Sequence, residues 1–415
     1  MDRDVPANLK REWKSNVTSP CRTAGDFVVL TYNILNTVYC PAGLYPYCPD
    51  DLLATERRHP LLMKEVDHHK DADIICMQEV NQQYYDVLLP DMQRRGFKGD
   101  YAMNPVDETT VVEKEYMDGS ATFYRGTRFQ LVKQAGGHFK KLIEKEREKC
   151  HLLESTDSTA ALLELIDSET AYLFSLFRCL KTNKLVAVGN VHLTYEAFNR
   201  MDLTALEAAV AVNSLVQFAG GTNVPHILCG DFNQEPHHPG YQLLHDGKLN
   251  ETTTTYLRTF NTQGNEGQVT SLVDHLPDCY RHSSASLKSA YETVVGHEVP
   301  FSLCTDISEF FQLQKRSDQP SAVVKALFDG TPTHPKVHKN DPETCGSDRF
   351  FAALDYIWFS SNSLHCDGVL EMVDEELILP FHACPNAVFP SDHLPVKARF
   401  SFLEAFRNPT LKSAL

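Results

Sequence analysis

The chain has 415 residues, of which 42% are apolar and 23% charged, and it carries a formal net charge of −16. These proportions supply a large hydrophobic core and exclude a disordered chain. The acidic balance argues against broad, sequence-independent binding to a nucleic-acid backbone, which needs Lys and Arg to displace counterions. A site that holds a divalent cation can still receive a phosphate, because the metal is then the largest local charge.

Residues 1–20 carry Asp2, Asp4 and Glu12 and no apolar run, fitting neither a secretory signal nor a transit peptide. The reading is an N-terminal extension over 1–25, one catalytic domain over 26–405 and a tail over 406–415. The first apolar run, DFVVLTYNIL (26–35), predicts a buried strand, and ATERRHPLLMKEVDHHK (54–70) a helix. ADIICMQEV (72–80) predicts the next strand, YYDVLLPDMQRRG (84–96) a second helix and ATFYRG (121–126) a third strand.

Residues 136–170 are weakly patterned; KKLIEKEREK within them reads as a solvated mixed-charge helix. Strands follow at 171–179 and 184–193. MDLTALEAAVAVNSLVQFA (201–219) then places Leu203, Leu206, Ala209 and Val210 on one helical face. VPHILCGDFN (224–233) is another strand. Residues 250–340, rich in Thr, Ser, His and Pro, read as long loops with short helices. LDYIWFS (354–360) and HLPVKARFSF (393–402) complete the strands. Strands alternating with helices point to an α/β layered domain. No stretch approaches 18 consecutive apolar residues, so no membrane span is expected. The twelve cysteines are dispersed, several within apolar runs, which suggests reduced core thiols in a cytoplasmic protein.

The chemistry-bearing residues fall at strand ends. Asn33, Glu79, His192, Asp231 and Asn233 close predicted strands, and Asp392 with His393 opens the last. α/β folds gather ligands at such an edge. Taken singly, each residue has an ordinary structural role: a solvated strand end for Glu79, a turn for GDFN, a capped turn for SDH, a core histidine for His192. Their recurrence in order is what suggests a hydrolytic centre. Phosphodiester hydrolysis needs a cation on oxygen ligands, for which Glu79 is the candidate, supported by Asn33 and Asp392. It needs a group to activate or orient water, for which His393 with Asp355 is suited. It also needs donors around the crowded phosphorane, roles open to His192, Asn233 and Asp231.

The ordered set YNIL, MQEV, NVHL, GDFN, LDYIWFS and SDHLPV resembles the endonuclease/exonuclease/phosphatase superfamily over about residues 26–402. The resemblance implies a four-layer α/β sandwich of two packed β-sheets flanked by helices. It implies Glu79 as metal ligand assisted by Asn33, Asp355 and His393 as the Asp–His pair, and Asp231 and Asn233 at the GDxN positions. His192 falls at the phosphate-binding position and Asp392 at the metal edge. DGSATFYRGTRF, GDFNQEPHHPGYQLLHDGKL and LKSAYE are similar to the CCR4-like branch of deadenylases, Angel proteins and nocturnins; HL-x-Tyr and LKREWK lean towards Angel-like members. The resemblance implies a Mg²⁺-dependent (or Mn²⁺-dependent) enzyme acting on RNA 3′ ends or a small nucleotide. The leading expectation is a 3′-to-5′ exoribonuclease. The alternatives are an RNA-end 2′,3′-cyclic phosphatase, a small-nucleotide phosphatase or phosphodiesterase, and a noncatalytic adaptor. Phe350, Phe351 and Tyr195 are candidates to contact substrate, the phenylalanines by stacking on a base or else by packing in the core. Two departures from the branch stand out: Thr204 replaces a basic residue and Glu207 a glutamine, which would weaken binding to long RNA if that position meets phosphates.

Overall fold

The computed structural model describes residues 11–16, 25–40, 44–103, 118–149, 166, 170–195, 200–259, 262–263, 269–306 and 349–403. Two mixed sheets form its middle. The first combines β1 (Trp13–Ser15), β2 (Phe27–Asn33), β3 (Ile74–Gln78), β4 (Phe97–Met103) and β5 (Gly119–Arg125) with β16 (Leu364–Leu370) and β17 (Val396–Phe402). Its order is β1-β16-β17-β2-β3-β5-β4, so the last strand pairs with the second. The second sheet takes β6 (Phe129–His138), β7 (Ala171–Cys179), β8 (Leu185–His192), β9 (His226–Asp231), β12 (Leu287–Ser289) and β15 (Asp355–Ser360) in the order β12-β15-β9-β8-β7-β6. Two short ladders are peripheral: β10 (Thr262–Gln263) with β11 (Val269–Thr270), and β13 (Leu303–Thr305) with β14 (Phe350–Ala352).

The apolar runs are continuous because the central strands are covered on both faces. In β2, Phe27 and Val29 enter the core between the sheets, against Val188, Ile227, Ile357 and Phe359. The alternate residues Val28 and Leu30 face outward onto Leu62, Met63 and Val66 of the helix Thr55–His68 and Leu88 and Met92 of the helix Gln82–Arg94. On the far side, Ala187, Leu228, Tyr356 and Trp358 pack against Leu206, Val210 and Leu215 of the helix Met201–Ala219. The result is the expected four-layer sandwich. Truncating a residue such as Ile74 to alanine between these layers costs about 2–5 kcal/mol.

The mixed-charge segment is helical over Phe139–Lys149, but it is not solvated all round: Phe139, Leu142 and Ile143 are buried among residues of the 201–219 helix. The stretch read as an N-terminal extension contributes β1, which pairs Trp13 with Leu370 at the sheet's edge. The region after 250 does hold short helices, Glu251–Leu257 and Ala290–Val295 among them, while much of it lies outside the described residues. The described cysteines are free thiols, and no described helix is long and apolar enough to cross a membrane.

One polar bridge crosses the dry core just beneath the strand ends. Gln78 Nε2 donates to Asn190 Oδ1 at 2.7 Å, and Asn190 Nδ2 donates to Ala121 O at 3.0 Å. Buried polar bridges of this kind fix one sheet's register against the other, since any slip leaves the Asn190 amide unpaired.

Candidate active site

Strand register assembles half of the site. Parallel pairing of β8 with β9 sets His192 beside Asp231, and antiparallel pairing of β9 with β15 sets Asp231 beside Asp355. Three adjacent strands therefore present one functional side chain each at a single level, roughly 5 Å apart. Asp231, 1% exposed, is the hub. Its Oδ1 accepts the Asn233 amide at 2.9 Å and its Oδ2 accepts Asn33 Nδ2 at 3.0 Å. Oδ2 also lies 3.6 Å from His192 Nε2 and 3.5 Å from His393 Nε2. The glycine of GDFN is obligatory: at Gly230 (φ +148°) a Cβ would sit 1.8 Å from Val191 O. Asn233 then adopts φ +49°, a left-handed conformation that Asn tolerates better than most residues.

His393 meets Asp355 as the sequence pattern requires, with Nδ1 donating to Oδ2 at 2.7 Å. Ser302 completes the pair from a remote loop. Its hydroxyl donates to the same Oδ2 at 2.6 Å and accepts the amides of Leu354 and Asp355 at 3.0 Å each. Burial works to lower the His393 pKa, but the carboxylates of Asp355, Asp231 and Asp392 outweigh it and hold the imidazole well above its ordinary range.

The opposite edge is built by loops. Glu79 follows β3 with φ +59° and Leu35 follows Asn33 with φ +57°, both costly for residues with a Cβ. Glu79 Oε1 accepts Asn33 Nδ2 at 2.8 Å, and Oε2 accepts the Asn36 amide at 2.7 Å. Asn33 Oδ1 is occupied by the Leu35 amide at 3.0 Å. That bond fixes the orientation of the Asn33 side chain, whose amide nitrogen holds Glu79 and Asp231. Asp392 Oδ2 accepts the Tyr45 hydroxyl at 3.0 Å, while Ser391 Oγ donates to Asn33 O at 2.8 Å. Arg58, buried within the 55–68 helix, staples these loops: Nε donates to Pro390 O at 2.7 Å and Nη2 reaches Ile34 O and Leu35 O.

Asp118 joins the two edges. Its Oδ2 lies 3.7 Å from His192 Nδ1 and 3.4 Å from the Tyr39 hydroxyl. Burial works against a charged His192, but Asp118, Asp231 and Glu79 outweigh it and push its pKa up to about 9. The Glu79 pKa is also raised, to about 7, by burial and the nearby Asp118 and Asp392, with His192 opposing.

Five carboxylates, those of Glu79, Asp118, Asp231, Asp355 and Asp392, thus surround two histidines in a largely buried site. Even with both imidazoles protonated, negative charge is in excess. Hard oxygen donors in such excess suit a divalent cation of the Mg²⁺ or Mn²⁺ kind, with Glu79 and Asp392 the residues that would hold it.

Sequence reading did not select Asp118, Ser302, Tyr45 or Arg58. Asp118 had a visible signal in the Asp-Gly of DGSATFYRG; the other three are set by contacts across long sequence separations. Tyr195 stands 54% exposed just beyond β8, within the field of Asp392, Glu79 and Asp231. Phe351 packs edge-on against Phe301 at 5.0 Å, and Phe350 packs against the Leu303 and Leu354 cluster. Thr204 and Glu207 are fully buried on the 201–219 helix, so neither is on a surface that long RNA could meet. A separate Glu235, His237 and His238 cluster lies in the turn after GDFN, where His238 Nδ1 accepts the Glu235 amide at 3.1 Å.

A sandwich of two sheets with acids and histidines at one strand edge defines a class of phosphoesterase-like folds, and the comparisons agree. The chain belongs to the Endonuclease/Exonuclease/phosphatase family, whose pattern matches residues 30–393, and the curated relatives it resembles are CCR4 proteins. It is 26% identical over 392 residues to carbon catabolite repressor protein 4 homolog 1 of Arabidopsis thaliana, covering 91% of this chain and 57% of that one. It is 26% identical over 401 residues to the CCR4-Not complex 3′-5′-exoribonuclease subunit Ccr4 of Debaryomyces hansenii, covering 93% and 40%. The chain therefore spans about half the length of these curated relatives. Among solved structures it is similar in fold to ANGEL2, a 2′,3′-cyclic phosphatase, in complex with adenosine-2′,3′-vanadate (TM-score 0.63, 22% identity, 94% and 98% coverage). It is also similar to the human Nocturnin catalytic domain with bound sulfate (TM-score 0.54, 19% identity, 96% and 99% coverage).

Proposed function

We propose that the protein is a Mg²⁺-dependent phosphodiesterase that shortens RNA from its 3′ end and releases 5′-mononucleotides. The observation that carries this reading is the placement of Asp231 between the imidazoles of His192 and His393, opposite the Glu79 and Asp392 edge. The similarity to CCR4 exoribonucleases supplies the substrate class.

Bound Mg²⁺ would neutralise the phosphodiester's charge and polarise a phosphoryl oxygen. Glu79 and Asp392 would hold it, with Asn33 and Tyr45 fixing their carboxylates. His192, charged below about pH 9, donates from Nε2 to a non-bridging oxygen. Asn233 gives one N–H to Leu193 O at 2.9 Å and keeps its second for the phosphate. Asp355 accepts the His393 Nδ1–H, which leaves Nε2 facing Asp231 Oδ2 at 3.5 Å; in the protonated imidazole that Nε2–H is a donor to the phosphorane. Asp231 Oδ2 is then the atom placed to orient the attacking water and take its proton as the P–O3′ bond breaks, the departing 3′-oxygen being protonated from solvent. Tyr195, Phe350 and Phe351 remain the candidate base contacts. We read the described residues as one catalytic domain and, from the free thiols, the location as the cytoplasm.

The test uses the purified chain with Mg²⁺ and 5′-labelled RNAs ending in an A-tract 3′-hydroxyl, a U-tract 3′-hydroxyl, a 3′-phosphate or a 2′,3′-cyclic phosphate. A ladder of shortened products is expected, and its A-against-U bias reads the base preference. Loss of the end phosphate alone would reassign the site to the phosphatase chemistry named for ANGEL2. Four unchanged RNAs would move the substrate to small nucleotides.

A further inference from the structure

Glu207 lies in the second turn of the helix Met201–Ala219, is 0% exposed, and stands where the branch commonly has glutamine. Its carboxylate points at the turn that follows His192. Oε2 accepts the Thr194 amide at 2.8 Å, and Oε1 accepts the Thr194 hydroxyl at 2.7 Å and the Thr170 hydroxyl at 3.2 Å. Three donors, one N–H and two O–H, thus converge on one carboxylate, which unlike an amide can accept all of them.

The turn it grips is the one on which the phosphate side of the site hangs. Leu193 N donates to Asp231 O at 2.9 Å, and Leu193 O accepts Asn233 Nδ2 at 2.9 Å. His192 precedes this pair and Tyr195 follows Thr194. The strand β9 holds the turn from one side and Glu207 from the other. A shift of Thr194 therefore moves the His192 imidazole, the Asn233 amide and the Tyr195 ring together.

We infer that Glu207 is the positioning residue of the phosphate-binding edge, setting His192 and Asn233 through Thr194 without touching substrate. This rests on the proposed phosphodiesterase reading. The buried acid is then an anchor rather than a change to an RNA-facing surface, because its oxygens are committed to Thr194 and Thr170 inside the fold.

The experiment compares wild type, Glu207→Ala, Glu207→Gln, His192→Ala and the His192→Ala/Glu207→Ala double variant as full chains with Mg²⁺. It reads kcat and KM on the RNA that the wild type shortens, binding of inorganic phosphate by calorimetry, and thermal melting. Misplacing the donors is expected to lower kcat/KM about 10- to 100-fold in Glu207→Ala and to weaken phosphate binding in parallel. Glu207→Gln, whose amide can accept from the Thr194 N–H and donate to the two hydroxyls, is expected within about threefold of wild type. In the double variant the loss beyond His192→Ala alone is expected to be clearly smaller than the loss Glu207→Ala causes in the wild-type background, since of the two phosphate donors it positions only Asn233 remains to be misplaced. Full multiplicative losses in the double variant overturn the inference, as does a Glu207→Ala protein that melts earlier yet keeps its phosphate affinity and kcat/KM. A wild type that binds phosphate but shortens no RNA defeats the substrate reading instead, and the phosphate arm then still decides the role of Glu207.

Discussion

The two edges of the site are built by different means. The phosphate edge is a by-product of sheet register: once β8, β9 and β15 pair, His192, Asp231 and Asp355 are level and close. The metal edge depends on two left-handed non-glycine residues, Leu35 and Glu79, and on Arg58 gripping carbonyls at Ile34, Leu35 and Pro390. Register is held by the strand ladders and the packed core, whereas a strained loop persists only while its hydrogen bonds do. The first edge should therefore answer to changes in its own side chains and to the single support at Glu207, and the second to changes in several loop supports.

The largest effect expected is from Glu79→Ala. Rate should fall about a thousandfold or more, and added Mg²⁺ should no longer restore it, as read by initial rates across a Mg²⁺ titration. His192→Ala should cost about a hundredfold in kcat/KM while leaving the Mg²⁺ requirement where it was. The wild type should also lose kcat/KM as pH rises through about 9, where His192 gives up its proton, and the variant should lack that alkaline limb. Arg58→Met separates the edges most directly. The Mg²⁺ concentration for half-maximal rate should rise about tenfold, with phosphate affinity little changed and stability reduced by about 2–4 kcal/mol. Equal weakening of Mg²⁺ and phosphate binding would mean that the edges are one mechanical unit.

The smallest effect serves as a control away from both edges. Glu298 accepts the Tyr241 hydroxyl at 2.7 Å, and burial pushes its pKa from 4.5 to about 7. A raised carboxylate favours the fold fully below its unfolded pKa, and that contribution is lost as pH rises through the folded value. Glu298→Gln should thus be neutral near pH 5 and stabilise by about 1–3 kcal/mol at pH 8 in denaturant melts, with no change in catalysis at either edge.

The same contrast explains what was legible in the sequence. Strands such as β2, β3, β8, β9 and β15 are apolar on both faces, so their runs and the residues closing them stand out. β6 is an edge strand with many partly exposed residues, and β16 carries a buried Asp367 that interrupts its apolar run, so neither was anticipated. Glu79, His192, Asp231, Asp355 and His393 were found because each sits on or beside a visible strand. Ser302, Tyr45 and Arg58 were not, because each acts on a residue that only folding brings near: Ser302 on Asp355, Tyr45 on Asp392, Arg58 on the loops after β2 and before Asp392. The Thr204 and Glu207 departures were visible as letters, but their burial was not, since a helix covered on nearly every side gives no one-sided pattern.

The pairing of β17 with β2 joins the beginning of the domain to its end. A nascent chain can form the second β-strand early, but its neighbour is made more than 360 residues later. At synthesis rates of about 5–20 residues per second, β2 waits roughly tens of seconds with an open edge. Asp392 and His393 arrive in that same final segment. A site arranged in this way stays incomplete until residues 392–402 have been made; the corresponding liability is a long interval in which an apolar strand edge must be shielded from its neighbours.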